Sequence, residues 1–171
     1  MKTEGSCLTL TDLNLMDRQH FTQALGGIFE HSPWVAEAAF PLRPFTSVAH
    51  LHEVMLEAAR YAEETTQLEL LRAHPDLATR MKVSPLSAAE QQGAGLDSLS
   101  NEEYAQLAEC NQRYTEKFGF PFILAVRGKS KSEILRSIAE RIESSLELEQ
   151  ERAWIEIGKI TRFRLEDLVV A

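Results

Sequence analysis

Apolar positions recur along this chain with helical spacing almost from end to end. Phe21, Ala24, Leu25, Ile28 and Phe29 fall at i, i+3, i+4, i+7 and i+8, one face of a helix that Gly26-Gly27 or the residues just after should end. Ser32-Pro33 reads as an N-cap and first helical residue, opening a short helix through Trp34 and Ala38. A longer helix is predicted from about Ser47 to Glu64, with Val48, Leu51, Met55, Ala58, Ala59 and Ala62 turned inward. Another short one covers Gln67 to Ala73, and Pro75 stops it because the residue before a proline avoids the α region.

Three S-x-x-E patterns then read as capping boxes at helix starts: Ser87/Glu90, Ser100/Glu103 and Ser130/Glu133. The second of these helices carries Tyr104, Leu107, Ala108, Tyr114 and Phe118 and stops at Gly119; the third carries Ile134, Leu135, Ile138 and Ile142. A last helix from about Leu148 to Phe163 buries Ala153, Ile157 and Ile160. Only Phe120 to Val126 has an extended pattern, and a lone strand has no sheet to join. The expectation is an all-α protein: a single compact multi-helix domain over residues 1–171, with residues 1–12 poorly ordered and one short, buried, extended segment. Backbone groups in that segment need partners. Either helix ends or water satisfy them, or some N–H groups face a cavity and a polar ligand.

Composition narrows the class. A chain of 171 residues that is 44% hydrophobic and 26% charged is ordinary globular protein. A net charge of -8 argues against a nucleic-acid partner, which needs clustered Lys and Arg. Cys7 and Cys110 are too few for a disulfide framework and read as reduced thiols. No basic-then-apolar leader, membrane-length apolar run or peroxisomal Ser-Lys-Leu ending is seen, so the expected location is cytoplasmic, without a membrane partner.

Several motifs fail on inspection. Gly128-Lys129-Ser130 suggests a P-loop, but the glycine required five residues earlier is Ile123. His52-Glu53 begins like a zinc-protease helix, yet the second histidine is replaced by Leu56, and His50 and His52 point to different helix faces. No metal is expected.

Four segments remain, in order: Phe29-Glu30-His31-Ser32-Pro33-Trp34, Ala73-His74-Pro75-Asp76-Leu77, Ser87-Ala88-Ala89-Glu90-Gln91 and Phe118-Gly119-Phe120-Pro121-Phe122. His74 stands at a helix-loop junction, whereas His20, His31, His50 and His52 lie in helical patterns without such a break. From the residues alone His74 is either a helix-end histidine or an acid/base group. Ser87 and Glu90 are either a cap or part of a site. Arg162 and Arg164 either favour the negative end of the last helix or hold a ligand.

Segment by segment, from about Leu25 to Leu165, the chain resembles the OHCU decarboxylase family. Those enzymes convert 2-oxo-4-hydroxy-4-carboxy-5-ureidoimidazoline to (S)-allantoin and carbon dioxide in urate breakdown. The resemblance implies a cofactor-independent carboxy-lyase and a homodimer, with a small-molecule ureidoimidazoline substrate and no cofactor. It implies His74 and Glu90 as catalytic. Pro75, Ser87, Gln91, Phe122, Ile123, Leu124, Ala125, Val126 and Arg164 would bind substrate. The connection between the His-Pro and Ser-x-x-Glu-Gln segments, thirteen residues from His74 to Ser87, is shorter than in many members. Two other readings remain: a helical interaction domain without catalysis, in which Trp34 and the aromatic segment form a partner groove, and a different cofactor-free acid/base enzyme of purine or ureide metabolism.

Overall fold

A computed structural model describes residues 8–79 and 83–170. Among the described residues the chain forms nine α-helices: α1 Leu10–Leu15, α2 Arg18–Leu25, α3 Trp34–Ala39, α4 Val48–Arg60, α5 Glu64–Arg72, α6 Pro85–Gly93, α7 Asn101–Phe118, α8 Lys131–Ile142 and α9 Leu146–Leu168. A single 3₁₀ turn, Phe40–Leu42, follows α3. The all-α expectation holds, with one small addition. Strands β1, Leu8–Thr9, and β2, Val169–Val170, pair in parallel, Leu8 opposite Val169 and Thr9 opposite Val170. Residues 8–12, expected to be poorly ordered, form β1 and the capped start of α1, where Thr9 and Asp12 make a reciprocal box. Cys7 lies outside the described residues, and Cys110 is a buried free thiol.

The chain divides into two compact units, residues 1–67 with 158–171, and residues 68–157. In the first, Phe21 is fully buried and meets the edge of Phe40 at 5.5 Å. Arg43 lies over the Phe40 ring at 3.8 Å and donates to the carbonyls of Met16 and Asn14, satisfying the end of α1. Of the predicted stripe, Phe21, Leu25, Ile28 and Phe29 are buried. Ser32 does not cap α3; its hydroxyl donates to the Glu30 carbonyl at 2.9 Å, and Pro33 takes the cap position. His31 is outside any helix, with φ of 47°, so its expected helical setting is corrected. The helix predicted from Ser47 to Glu64 is cut at Arg60. Gln67 Nε2 donates to the Ala62 carbonyl at 2.7 Å in the break, and α5 starts anew at Glu64.

In the second unit, the Ser100/Glu103 box forms as predicted, and α7 ends at Gly119 with φ of 82°, a conformation glycine adopts without strain. Ser130 caps α8 by accepting from the Glu133 N–H. Ala108, expected inside, is exposed; Cys110 and Asn111 occupy that stripe with Leu107 and Tyr114. Helix α9 runs beyond the predicted span at both ends. Among the described residues no helix is long and apolar enough to cross a membrane.

Within the first unit lies a buried ion pair. Arg164, 5% exposed, donates to Glu30 Oε2 at 3.0 Å and to the carbonyls of Ile28 and Gly27. Removing one partner of such a pair strands a charge, which costs about 3–5 kcal/mol, whereas replacing both by apolar groups costs far less. Arg164→Met is therefore expected to lower the urea midpoint sharply. The Glu30→Leu, Arg164→Met double variant should recover most of the loss, a comparison that equilibrium unfolding measures directly.

Candidate active site

Proline ends helix α5. The Ala73 N–H still reaches Glu69 at 2.9 Å and the His74 N–H reaches Leu71 at 3.3 Å, but Pro75 lacks an N–H to continue the ladder. The half-buried His74 ring lies back along the helix, with Nδ1 3.0 Å from the Leu70 carbonyl. A carbonyl only accepts, so Nδ1 carries a proton. In the neutral ring Nε2 then holds the lone pair, the arrangement an acid/base histidine needs.

The loop after His74 is held from two helices. Ala78 has φ of 59°, a left-handed conformation that costs a non-glycine residue free energy and persists only under constraint. Gln91 Oε1 in α6 accepts the Ala78 N–H at 2.8 Å, and Asn111 Nδ2 in α7 donates to the Leu77 carbonyl at 3.0 Å. Asn111 is 5% exposed and was not singled out from sequence. The available signal was a polar residue on the Leu107, Cys110, Tyr114, Phe118 stripe.

Helix α6 starts one turn earlier than predicted. Its N-cap is Ser84, whose hydroxyl accepts the Ser87 N–H at 3.2 Å, with Pro85 at the first helical position. Ser87 and Glu90 are thus not a capping box. Ser87 is an interior helix residue, 6% exposed, and Glu90 and Gln91 sit beyond it at i+3 and i+4. Their side chains therefore share one face of the helix. A cavity of about 580 Å³ within this unit is lined by Ala78, Thr79, Gln91, Leu96 and Tyr104, among others. Of the predicted site residues, it takes in only Gln91.

Phe120 lies in a bend and residues 121–126 belong to neither helix nor strand, so the stretch expected to be extended joins no sheet. Phe122, Ile123, Leu124, Ala125 and Val126 are all buried, none above 6% exposed. Two of their carbonyls are satisfied: Arg141 Nη1 donates to Ile123 at 2.8 Å, and the Lys129 N–H donates to Val126 at 3.0 Å. Among the described residues, no acceptor meets the N–H groups of this stretch. Aromatic rings of Tyr114, Phe118 and Phe120 pack behind it, Tyr114 to Phe122 at 5.4 Å. Burial first, and then its bond to Glu149, push the Tyr114 hydroxyl well above its ordinary range, so it stays a donor.

The second unit thus contains His74, Pro75, Ser87, Glu90, Gln91 and the 122–126 backbone, while Arg164 belongs to the first. Arg162 is more exposed and pairs with Glu166 one turn on; because α9 continues to Leu168, it stands short of the last turn where the helix-end reading placed it.

Comparison with known proteins agrees with the four segments. The family model of OHCU decarboxylase matches residues 14–166. The uric acid degradation bifunctional protein PucL of Bacillus subtilis is 47% identical over 161 residues, which cover 94% of this chain and 33% of that protein. The chain therefore spans about a third of the length of that relative. The 2-oxo-4-hydroxy-4-carboxy-5-ureidoimidazoline decarboxylase of Halalkalicoccus jeotgali is 41% identical over 163 residues, 95% of this chain and 93% of that protein. Among solved structures, a crystal structure of (S)-allantoin synthase superposes with a TM-score of 0.78 at 30% identity, covering 95% of this chain and 54% of the other. With matching segments, fold and near-full-length relatives in agreement, the chain belongs to the OHCU decarboxylase family.

Proposed function

We propose that the protein is a cofactor-independent carboxy-lyase that converts 2-oxo-4-hydroxy-4-carboxy-5-ureidoimidazoline to (S)-allantoin and carbon dioxide in urate breakdown. The observation that carries this reading is the His74 ring, held by its Nδ1–H on the Leu70 carbonyl at the break before Pro75, the tautomer in which Nε2 is the basic nitrogen. Family membership and the activity named for the Halalkalicoccus jeotgali relative support it.

The chemistry asks little of a cofactor. When the bond from ring carbon to carboxylate breaks, carbon dioxide leaves. The electron pair delocalises into the adjacent carbon–nitrogen double bond of the ring, and one proton returns to carbon. The protein's work is to orient the substrate, polarise it and deliver that proton to one face. His74 acts as the general acid/base near the 4-hydroxyl and carboxyl groups.

Glu90, Gln91 and Ser87, on one face of α6, read the ureido arm, whose donors and acceptors suit a carboxylate beside an amide. Pro75 shapes the turn that carries His74. The N–H groups of Phe122, Ile123, Leu124, Ala125 and Val126 bind the ring, and their apolar side chains keep the departing carboxylate poorly solvated. Arg164 keeps its sequence-based assignment as a carbonyl-binding guanidinium, its plane set by Glu30.

Freshly oxidised and hydrolysed urate should yield optically active allantoin, followed by circular dichroism; racemic product at the blank rate would overturn the reading. His74→Asn should fold normally and lose roughly 10²–10⁴-fold in turnover.

Glu90→Gln should leave the melting temperature unchanged, since Ser84 rather than this pair caps α6, and turnover should fall about 10–100-fold as a charge-assisted contact is lost. Equal losses of stability and activity, with normal turnover per folded molecule, would remove Glu90 from the site.

We assign the protein to the cytoplasm as a single-domain homodimer. Sedimentation should accordingly return twice the chain mass, and a purely monomeric species would contradict the assignment.

A further inference from the structure

Helix α8 turns an apolar stripe inward, Ile134, Ile138 and Ile142, and among them it places the buried Arg141. Arg141 Nε donates to Glu149 Oε1 at 2.7 Å, and Nη1 donates to the Ile123 carbonyl at 2.8 Å. The guanidinium carbon lies 4.5 Å from the centroid of the Phe122 ring. Glu149 is fully buried at the start of α9 and also accepts from the Tyr114 hydroxyl at 2.8 Å and from Arg152 at 3.3 Å. Arg141 Nη2 is buried without an acceptor among the described residues.

As a stabilising device this cluster is poor. Two charges taken out of water recover little over apolar side chains of the same volume, and an orphaned donor adds a further cost. What apolar side chains would not supply is a grip on the Ile123 carbonyl. A trans peptide is planar, so its C=O and the following N–H point in opposite directions. Aiming the Ile123 carbonyl at Arg141 therefore aims the Leu124 N–H away from it. Leu124 is buried, and its N–H meets no acceptor among the described residues.

We propose that Arg141 is a positioning residue: by holding the Ile123 carbonyl, it presents the Leu124 N–H as a fixed donor to a carbonyl or carboxylate oxygen of the substrate. The inference rests on the proposed function, in which this backbone binds the ureidoimidazoline. Glu149 sets the guanidinium plane, and the Tyr114 hydroxyl fills a remaining lone pair on Glu149. None of the three touches the substrate.

The test removes the charged cluster as a whole, leaving only the Ile123 carbonyl without its donor. The Tyr114→Phe, Arg141→Met, Glu149→Leu triple variant should fold, with a melting temperature somewhat below that of the parent. Its KM should rise roughly tenfold, the loss of one well-aimed hydrogen bond, because the Ile123–Leu124 peptide is free to turn. The excess of (S)- over (R)-allantoin should fall with it. If the triple variant does not fold, Arg141→Lys carries the test. Lysine keeps a charge for Glu149, but a single ammonium does not span Glu149 and Ile123 in one plane, so KM should again rise. In the parent, the ¹⁵N–¹H signal of Leu124 should move on adding (S)-allantoin, and in the variant it should not. A folded variant with the parent's KM, stereochemical excess and Leu124 response would overturn the role of Arg141 and leave the activity standing. A parent that makes no (S)-allantoin would overturn both.

Discussion

A proline has no N–H to give a helix, and its ring crowds the residue before it, so α5 has to stop short of Pro75. Much of the proposed site depends on that constraint. The helix ends on carbonyls that need donors, and the His74 ring supplies one to Leu70, which settles its tautomer. The chain then turns through Ala78 in a conformation that an alanine does not favour. Two amide side chains from other helices, Gln91 and Asn111, hold it there. A strained turn flanked by such bonds is a rigid mount, which suits the acid/base role proposed for His74.

The helices after α1 were largely legible in the chain, because most show the 3.6-residue repeat of a surface helix and several announce their ends; α1 begins in residues expected to be poorly ordered. Ser100 with Glu103, and Gly119 after Phe118, work as local chemistry says they should. Where the reading failed, a competing local signal won. Ser87 and Glu90 have the spacing of a capping box, yet Ser84 followed by Pro85 is the better helix start, and α6 takes it. The segment from Ser47 to Glu64 looks continuous in its apolar spacing. The break at Tyr61 depends on a side chain, Gln67, folding back onto the Ala62 carbonyl, which no periodicity reveals. Strands β1 and β2 are two residues each, too short for any alternation to show.

The proposed site residues rest on a different signal. His74, Glu90 and Gln91 came from segment resemblance, and geometry adds what they rest on: a carbonyl for the histidine and a loop amide for the glutamine. The buried polar residues behind them, Asn111, Arg141 and Glu149, escaped notice because a polar residue inside an apolar stripe reads as an exception. Buried polar groups are rarely exceptions of that kind; each of these three is bonded to backbone or to a neighbour of the 122–126 segment.

The parallel pairing of Leu8 with Val169 joins positions near opposite ends of the chain, and it belongs to a unit assembled from two separate stretches. The other unit, residues 68–157, is one unbroken stretch. On a ribosome, the uninterrupted unit is complete in sequence before its discontinuous neighbour can be. Closing β1 onto β2 is also the most distant contact in sequence among those described here, and the loss of chain freedom it entails grows with the length of the loop. The histidine mount and the 122–126 segment therefore lie in the part of the chain made as one continuous piece, and the two-residue strands are the last stitch in sequence.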